Sequence, residues 1–150
     1  MIYPIKVNYN SSLAKMIAKG KYDWANSDIT EEHFPTASGM AELFIELVHF
    51  DRVMSSNDVL AELEKRGLRP ATLPELLAFG AKYPEKQREF PVVALGSVWW
   101  YWVDSRHVPY LWSNAGKRNL DLNWLGNWWV GHCRFAAVRK YSDTREPGRE

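Results

Sequence analysis

The chain has 150 residues, 46% of them hydrophobic and 25% charged, a size and composition at which one soluble domain buries a real core. Its formal net charge of +1 gives no electrostatic case for nucleic acid or an anionic membrane, and its one cysteine excludes an internal disulfide framework or a site of two thiolates. No apolar run approaches a membrane span, and "MIYPIKVNYNSSLAKMIAKGK" lacks the apolar core of a signal peptide, so the expected location is the cytoplasm or a virion assembled there.

"IYPIKVNY" alternates apolar and polar residues and predicts a strand, with Pro4 favouring a sheet edge. In "SSLAKMIAKG", Ser11 or Ser12 offers an N-cap, Leu13, Met16 and Ile17 form an apolar face, and Gly20 is the expected stop. Residues 21–39 are polar and mixed and read as loop with one helical turn. "AELFIELVHF" predicts a strand with Leu43, Ile45, Leu47 and His49 on one face and Phe44, Val48 and Phe50 on the other, interrupted by Glu46. "SSNDVLAELEKRG" is the clearest helix, with Ser55 and Asp58 at capping-box spacing, a stripe of Val59, Leu60 and Leu63, and Gly67 after its end. "ATLPELLAFGAKYP" repeats the device with Thr72 and Glu75 as cap, Pro74 in the first turn, and Leu76, Leu77 and Phe79 inward.

From Phe90 the texture turns to short strands, "PVVALGSVWW", "HVPYLW", "RNLDLNW" and "CRFAAVRK", separated by turns such as "SNAGK" and "LGN". In "RNLDLNW", Leu120, Leu122 and Trp124 are expected to cover a core while Asn119, Asp121 and Asn123 face solvent. The tail from Ser142 reads as frayed. The order is a strand-helix extension over residues 1–39, then strand, helix, helix and several strands over residues 40–141, which argues for an α+β fold.

Motifs for catalysis are thin. His132 and Cys133 are adjacent, so an extended chain points them to opposite faces, and Asp104 and His107 have no third partner in sequence for a metal. Cys133 lacks a nucleophile signature, Gly96–Ser97 lacks the pattern of a nucleophile elbow, and neither a phosphate loop nor a dinucleotide fingerprint is present. The sequence gives no reason to expect an enzyme, a cofactor or a metal. Aromatic residues, by contrast, reach 14%, and seven of the eight tryptophans (Trp99, Trp100, Trp102, Trp112, Trp124, Trp128, Trp129) fall after residue 98. "WWYW" and "WW" place neighbouring indoles on opposite faces of an extended chain, so one of each pair should turn away from a one-sided core. Exposed tryptophan beside Asn, Ser, Gly and His is the composition of an antibody-like contact surface.

With those residues in view, "RPATLPELLAFGAKYPEKQREFPVVALGSVW", "VPYL", "RNLDLNW" and "RFAAVRK" resemble the variable proteins of diversity-generating retroelements, a group that includes phage and archaeal-virus tropism determinants. The resemblance spans roughly residues 40–140, one domain's extent. It implies a C-type-lectin-like fold, with two helices packed on short antiparallel strands, whose surface is randomised when a reverse transcriptase copies template adenines. Asparagine codons are the preferred targets there, and changing their first two bases yields no stop codon.

Ser105, His107, Ser113, Asn114, Asp121, Asn123, Leu125, Gly126, Asn127, Val130, Gly131, His132 and Cys133 are all reachable from an asparagine codon. The run "LGNWWVGHC" would then be one draw of a diversified, hypervariable surface for receptor recognition, held by the framework residues Leu120, Leu122, Trp124, Arg134 and Phe135. Trp112, Trp128 and Trp129 are not reachable from such a codon and are framework or derive from codons such as AGG. The expected function is recognition of a protein or cell-surface ligand, with Trp112 and Trp128 as anchors and Asn114, Asp121, Asn123 and Asn127 as hydrogen-bonding contacts. The rivals are a carbohydrate-binding module, which needs an exposed tryptophan platform, a small enzyme using His107 or His132, and a structural role in a viral particle.

Overall fold

A computed structural model describes residues 2–102 and 105–140, with Trp102 described by its backbone alone. Strand Ile2–Asn8 (β1) is followed by helix Leu13–Gly20 (α1), the short strand Trp24–Ala25 (β2) and the strand Met40–His49 (β3). Strand Met54–Ser55 (β4) leads into helix Ser56–Lys65 (α2), strand Leu68–Pro70 (β5), helix Leu73–Lys82 (α3) and the single turn Lys86–Glu89 (α4). The rest of the described chain is extended: Val92–Val93 (β6), Trp99–Trp102 (β7), Ser105–Asn114 (β8), Lys117–Trp124 (β9), Trp128–Trp129 (β10) and Arg134–Arg139 (β11). The protein is thus α+β. The sequence boundary at Ser142 and Asp104 both lie outside the described residues.

The large sheet runs β1-β3-β11-β6-β8-β9-β2, with β5 added to β11 and β7 to β8, while β10 and β4 form a separate two-stranded ladder. Pairing is antiparallel except between β11 and β6 and between β2 and β9. β1 takes the edge that Pro4 favours, and the Pro4 carbonyl accepts from Lys82 Nζ at 2.9 Å and Tyr83 Oη at 2.8 Å. The N-terminal strand and helix belong to the same sheet and core as the rest of the chain: Tyr3, Ile5 and Val7 of β1 and Leu13 and Met16 of α1 pack with Leu73, Leu76, Leu77 and Phe79 of α3.

The sheet separates two cores. On one face lie α1 and α3, on the other α2 with Trp129, Cys133 and Met54. Central strands are therefore buried on both sides: Ala136 and Val138 of β11 enter the first core, Phe135 and Ala137 the second. The same division explains β3. Leu43, Ile45 and Leu47 face the first core as expected, but the opposite face is covered only at its far end, so Val48 is buried while Phe44 lies open.

The helix starts follow the sequence. Ser12 Oγ accepts from Lys15 N–H at 3.2 Å and Ser55 Oγ from Asp58 N–H at 3.1 Å. At α3, Glu75 reaches back to the Thr72 N–H at 2.9 Å. Residues 21–39 contain the expected helical turn, closed by Phe34 N–H donating to the Thr30 carbonyl at 2.9 Å, and also a strand, β2, that local pattern did not show.

Three expectations need correction. Gly20 is the last helical residue and not the stop, because Lys21 adopts the left-handed conformation (φ 51°). Glycine is required at position 20 for space, since a Cβ there would lie 2.2 Å from the Tyr22 ring. Trp124 does not cover a core, because the first core ends at Leu122 and leaves the indole 65% exposed. Nor do the polar residues of β9 all face solvent: Asn119 is buried, with its carbonyl accepting from Gln87 Nε2 at 3.0 Å, and Asp121 is half-buried and accepts from Asn26 Nδ2 at 3.0 Å.

Candidate functional site

The run from Leu125 to Cys133 leaves the end of β9, forms β10 against β4 and turns into β11. Its path is pinned at intervals. Leu125 N–H donates to the Arg106 carbonyl at 2.8 Å, and the Leu125 carbonyl accepts from Ser56 Oγ. Ser56 in turn accepts from the indole N–H of Trp129 at 2.8 Å, so the first turn of α2 holds the start and the middle of this stretch. Trp129 is 2% exposed and packs edge-on against Phe135 in the second core. Gly131 passes so close to α2's approach segment that a Cβ would lie 2.9 Å from the Arg52 backbone nitrogen, and its carbonyl accepts from His49 Nε2 at 2.8 Å. Cys133 is buried, and burial pushes its thiol pKa up, the opposite of what a nucleophile requires.

Between these pins the side chains point out. Trp128 is 66% exposed, Val130 and His132 are exposed, and Asn127 is half-exposed. A Cβ added at Gly126 would meet nothing within 4 Å, so that position has room for any side chain. The heterogeneous composition of "LGNWWVGHC" thus resolves into two interleaved sets. Leu125, Trp129, Gly131 and Cys133 tie the run down, whereas Gly126, Asn127, Trp128, Val130 and His132 are presented. Leu125, Gly131 and Cys133, expected on the variable surface, belong to the first set.

The remaining candidates divide along the β8–β9 hairpin. His107 pairs with Trp124 and Val108 with Asn123 at the end where the 125–133 run begins, and Ser105 opens the same strand. Trp112, Ser113 and Asn114 sit toward the opposite end, at the turn Ala115–Gly116, and His107 and Trp112 are five residues apart on one strand, about 17 Å. The structure therefore does not bring Trp112 to the surface that Trp128 occupies. Trp112 is half-buried with its indole nitrogen enclosed, so it is a poor anchor. Asp121 lies midway and is engaged by Asn26.

One feature of this end was not expected as a site. β7 adds Trp99, Trp100 and Tyr101 beside β8, and Trp99, His107 and Trp124 stand opposite one another on three adjacent strands, hence on one face. With Leu122, Asn123, Tyr101 and the 26–28 segment they line a cleft of about 450 Å³. Trp100 faces the other way, exposed and covered by the Arg106 guanidinium 4.9 Å from its ring centroid. The alternation of "WWYW" carried this signal, but the partner strand needed to align the three rings did not show in sequence.

Among the described residues no three His, Cys, Asp or Glu side chains converge as a metal site, and no helix is long and apolar enough to cross a membrane. No family model, curated protein or solved structure matches the chain.

Proposed function

We propose that the protein is a non-enzymatic binding protein that presents a diversified surface to a protein or cell-surface ligand, on a scaffold of the C-type-lectin-like kind used by the variable proteins of diversity-generating retroelements. The observation that carries this reading is the interleaving in residues 125–133. Apart from His132, whose Nε2 lies 3.0 Å from the Glu89 carbonyl and whose ring meets Phe90 edge-on, the outward side chains there stand clear of both cores, while the residues between them fix the backbone through Ser56, His49 and the second core. Such an arrangement lets the exposed chemistry change without changing the fold. The displayed set pairs a large rigid ring, Trp128, with adaptable polar and small groups, the mixture that makes broad contact surfaces. The thiol of Cys133 is buried and its pKa pushed up by burial, which suits packing rather than nucleophilic attack.

Sequencing the DNA that flanks the gene tests diversification. The expected result is a near-copy of codons 101–133 beside a reverse transcriptase gene. Its mismatches should fall at template adenines and within the codons of Gly126, Asn127, Val130, His132, Asn123 and His107. Mismatches concentrated at Trp129, Gly131 and Cys133, or no such repeat, would overturn diversification.

A further inference from the structure

We propose that the cleft between β7, β8 and β9 is a binding site for a neutral sugar ring. This goes beyond the displayed surface, because it rests on Trp99, Tyr101 and Trp124, which lie outside the variable set. Neighbouring strands are spaced about 4.8 Å, so the Cα atoms of Trp99 and Trp124 stand about 10 Å apart across His107. Two indoles with a smaller imidazole between them make a slot, and a ring held between aromatic faces needs about 3.5–4 Å on each side.

The Trp99 side of the slot is built, not incidental. Its indole stacks on His33 with ring centroids 3.9 Å apart and 12° between planes, and it touches Tyr101 at 5.2 Å and His107 at 5.7 Å. His33 is itself held by Nδ1 at 2.7 Å from the Asp28 carbonyl, and the 26–28 segment is tethered to β9 through Asn26 and Asp121. Trp124 on the other side is exposed, a large apolar surface that the fold leaves unused.

The chemistry of the rim selects among flat ligands. The C–H face of a pyranose carries the positive edge that an indole face attracts, and its hydroxyls need planar donors and acceptors. Asp28 supplies carboxylate acceptors at the mouth, and His107 a ring nitrogen. Among the described residues lining the cleft, Asp28 is the one of fixed charge, which disfavours phosphate- and carboxylate-bearing ligands, and the Arg106 cation is committed to Trp100 on the opposite face. The volume is toward the small end of small-molecule sites, of the size for one or two sugar rings.

The test is titration of the full chain, labelled at the tryptophan indole nitrogen, with methyl glycosides of glucose, galactose, mannose and N-acetylglucosamine. At least one should give saturable shifts concentrated at Trp99 and Trp124, with Kd of about 1 mM. Trp124→Ala should weaken that binding about tenfold, and Trp124→Leu, which keeps apolar bulk without an aromatic face, as much. Trp128→Ala should leave it unchanged. The absence of saturable shifts with every glycoside, or binding by both Trp124 variants as tight as the parent's, would overturn the proposal. So would loss of the shifts in Trp128→Ala, which would move the site to the displayed run. Saturable binding of tetramethylammonium in place of the sugars would make the slot a cation cage. A displayed run that proves to be packing would leave these outcomes untouched.

Discussion

Replacing Arg118 by methionine is expected to cost about 3–5 kcal/mol of stability, with the denaturant midpoint falling and the m-value unchanged. Arg118 of β9 is 4% exposed; the Asp23 carboxylate accepts from its backbone N–H at 2.7 Å, but among the described residues its guanidinium forms no ion pair. It is satisfied instead by carbonyls and an amide: Nη1 donates to Gly20 O at the end of α1, Nη2 to Gly80 O in the last turns of α3 at 2.9 Å, and Nε to Gln87 Oε1 at 3.1 Å. The cation therefore meets the C-terminal ends of two helices, where carbonyl dipoles favour positive charge. Tyr22 lies flat beneath it, 4.7 Å from ring centroid to guanidinium carbon, and burial pushes the Tyr22 phenol up to about 12. Methionine keeps the bulk but strands the carbonyls of α1 and α3 and the Gln87 amide oxygen, each a buried acceptor left without a donor. A loss below about 1 kcal/mol would mean that water reaches these groups and that Arg118 does not join the two helices to β9.

Glu75→Gln is expected to cost about 2–3 kcal/mol at neutral pH and to remove a pH dependence from stability. The Glu75 side chain is 2% exposed and accepts from two N–H groups of Arg69 at 2.9 and 2.8 Å, from Tyr9 Oη at 2.6 Å and from the Thr72 N–H at 2.9 Å. Burial alone would raise its pKa, but these donors together outweigh burial and hold the carboxyl below its usual range. A carboxylate depressed in the folded state stabilises fully above its unfolded pKa of about 4.3 and loses that contribution as pH falls through the lower folded value. Urea melts at stepped pH should thus show the gap between parent and variant constant near neutrality and closing below about pH 4.3. A gap that is flat down to acid pH would mean that Glu75 is not ionised in the folded protein. The effect is limited because Arg69 remains partly in water.

The helices, the long strands and the opposite facing of adjacent tryptophans were legible because each is a local pattern. Ser12, Ser55 and Glu75 cap helices by reaching three residues along the chain, and Trp128 and Trp129 part company through the two-residue period of extended backbone. What escaped depends on partners distant in sequence. Arg118 looks like a solvated strand residue until Gly20 and Gly80 arrive from two helices, and Gly20 looks like a helix stop until the Tyr22 ring is seen against it. β2 carries no periodicity because two residues are too few, and its pairing with β9 lies across most of the chain. The site was legible as a region and not as a list. Composition pointed to 125–133, but only Ser56, Arg52 and the second core distinguish Leu125, Gly131 and Cys133, which hold the run, from Gly126, Val130 and His132, which it presents.

The central claim, a displayed set carried on a pinned backbone, is tested most directly by comparing unfolding free energies of two variants. One carries Asn127→Ala, Trp128→Ala, Val130→Ala and His132→Ala together; the other carries Trp129→Ala alone. The quadruple variant should stay within about 1 kcal/mol of the parent, since exposed substitutions have small effects. Trp129→Ala empties a buried site, strands Ser56 and should lose about 3–5 kcal/mol. A quadruple variant that falls as far as Trp129→Ala would show that the outward residues are packing after all and would contradict the account.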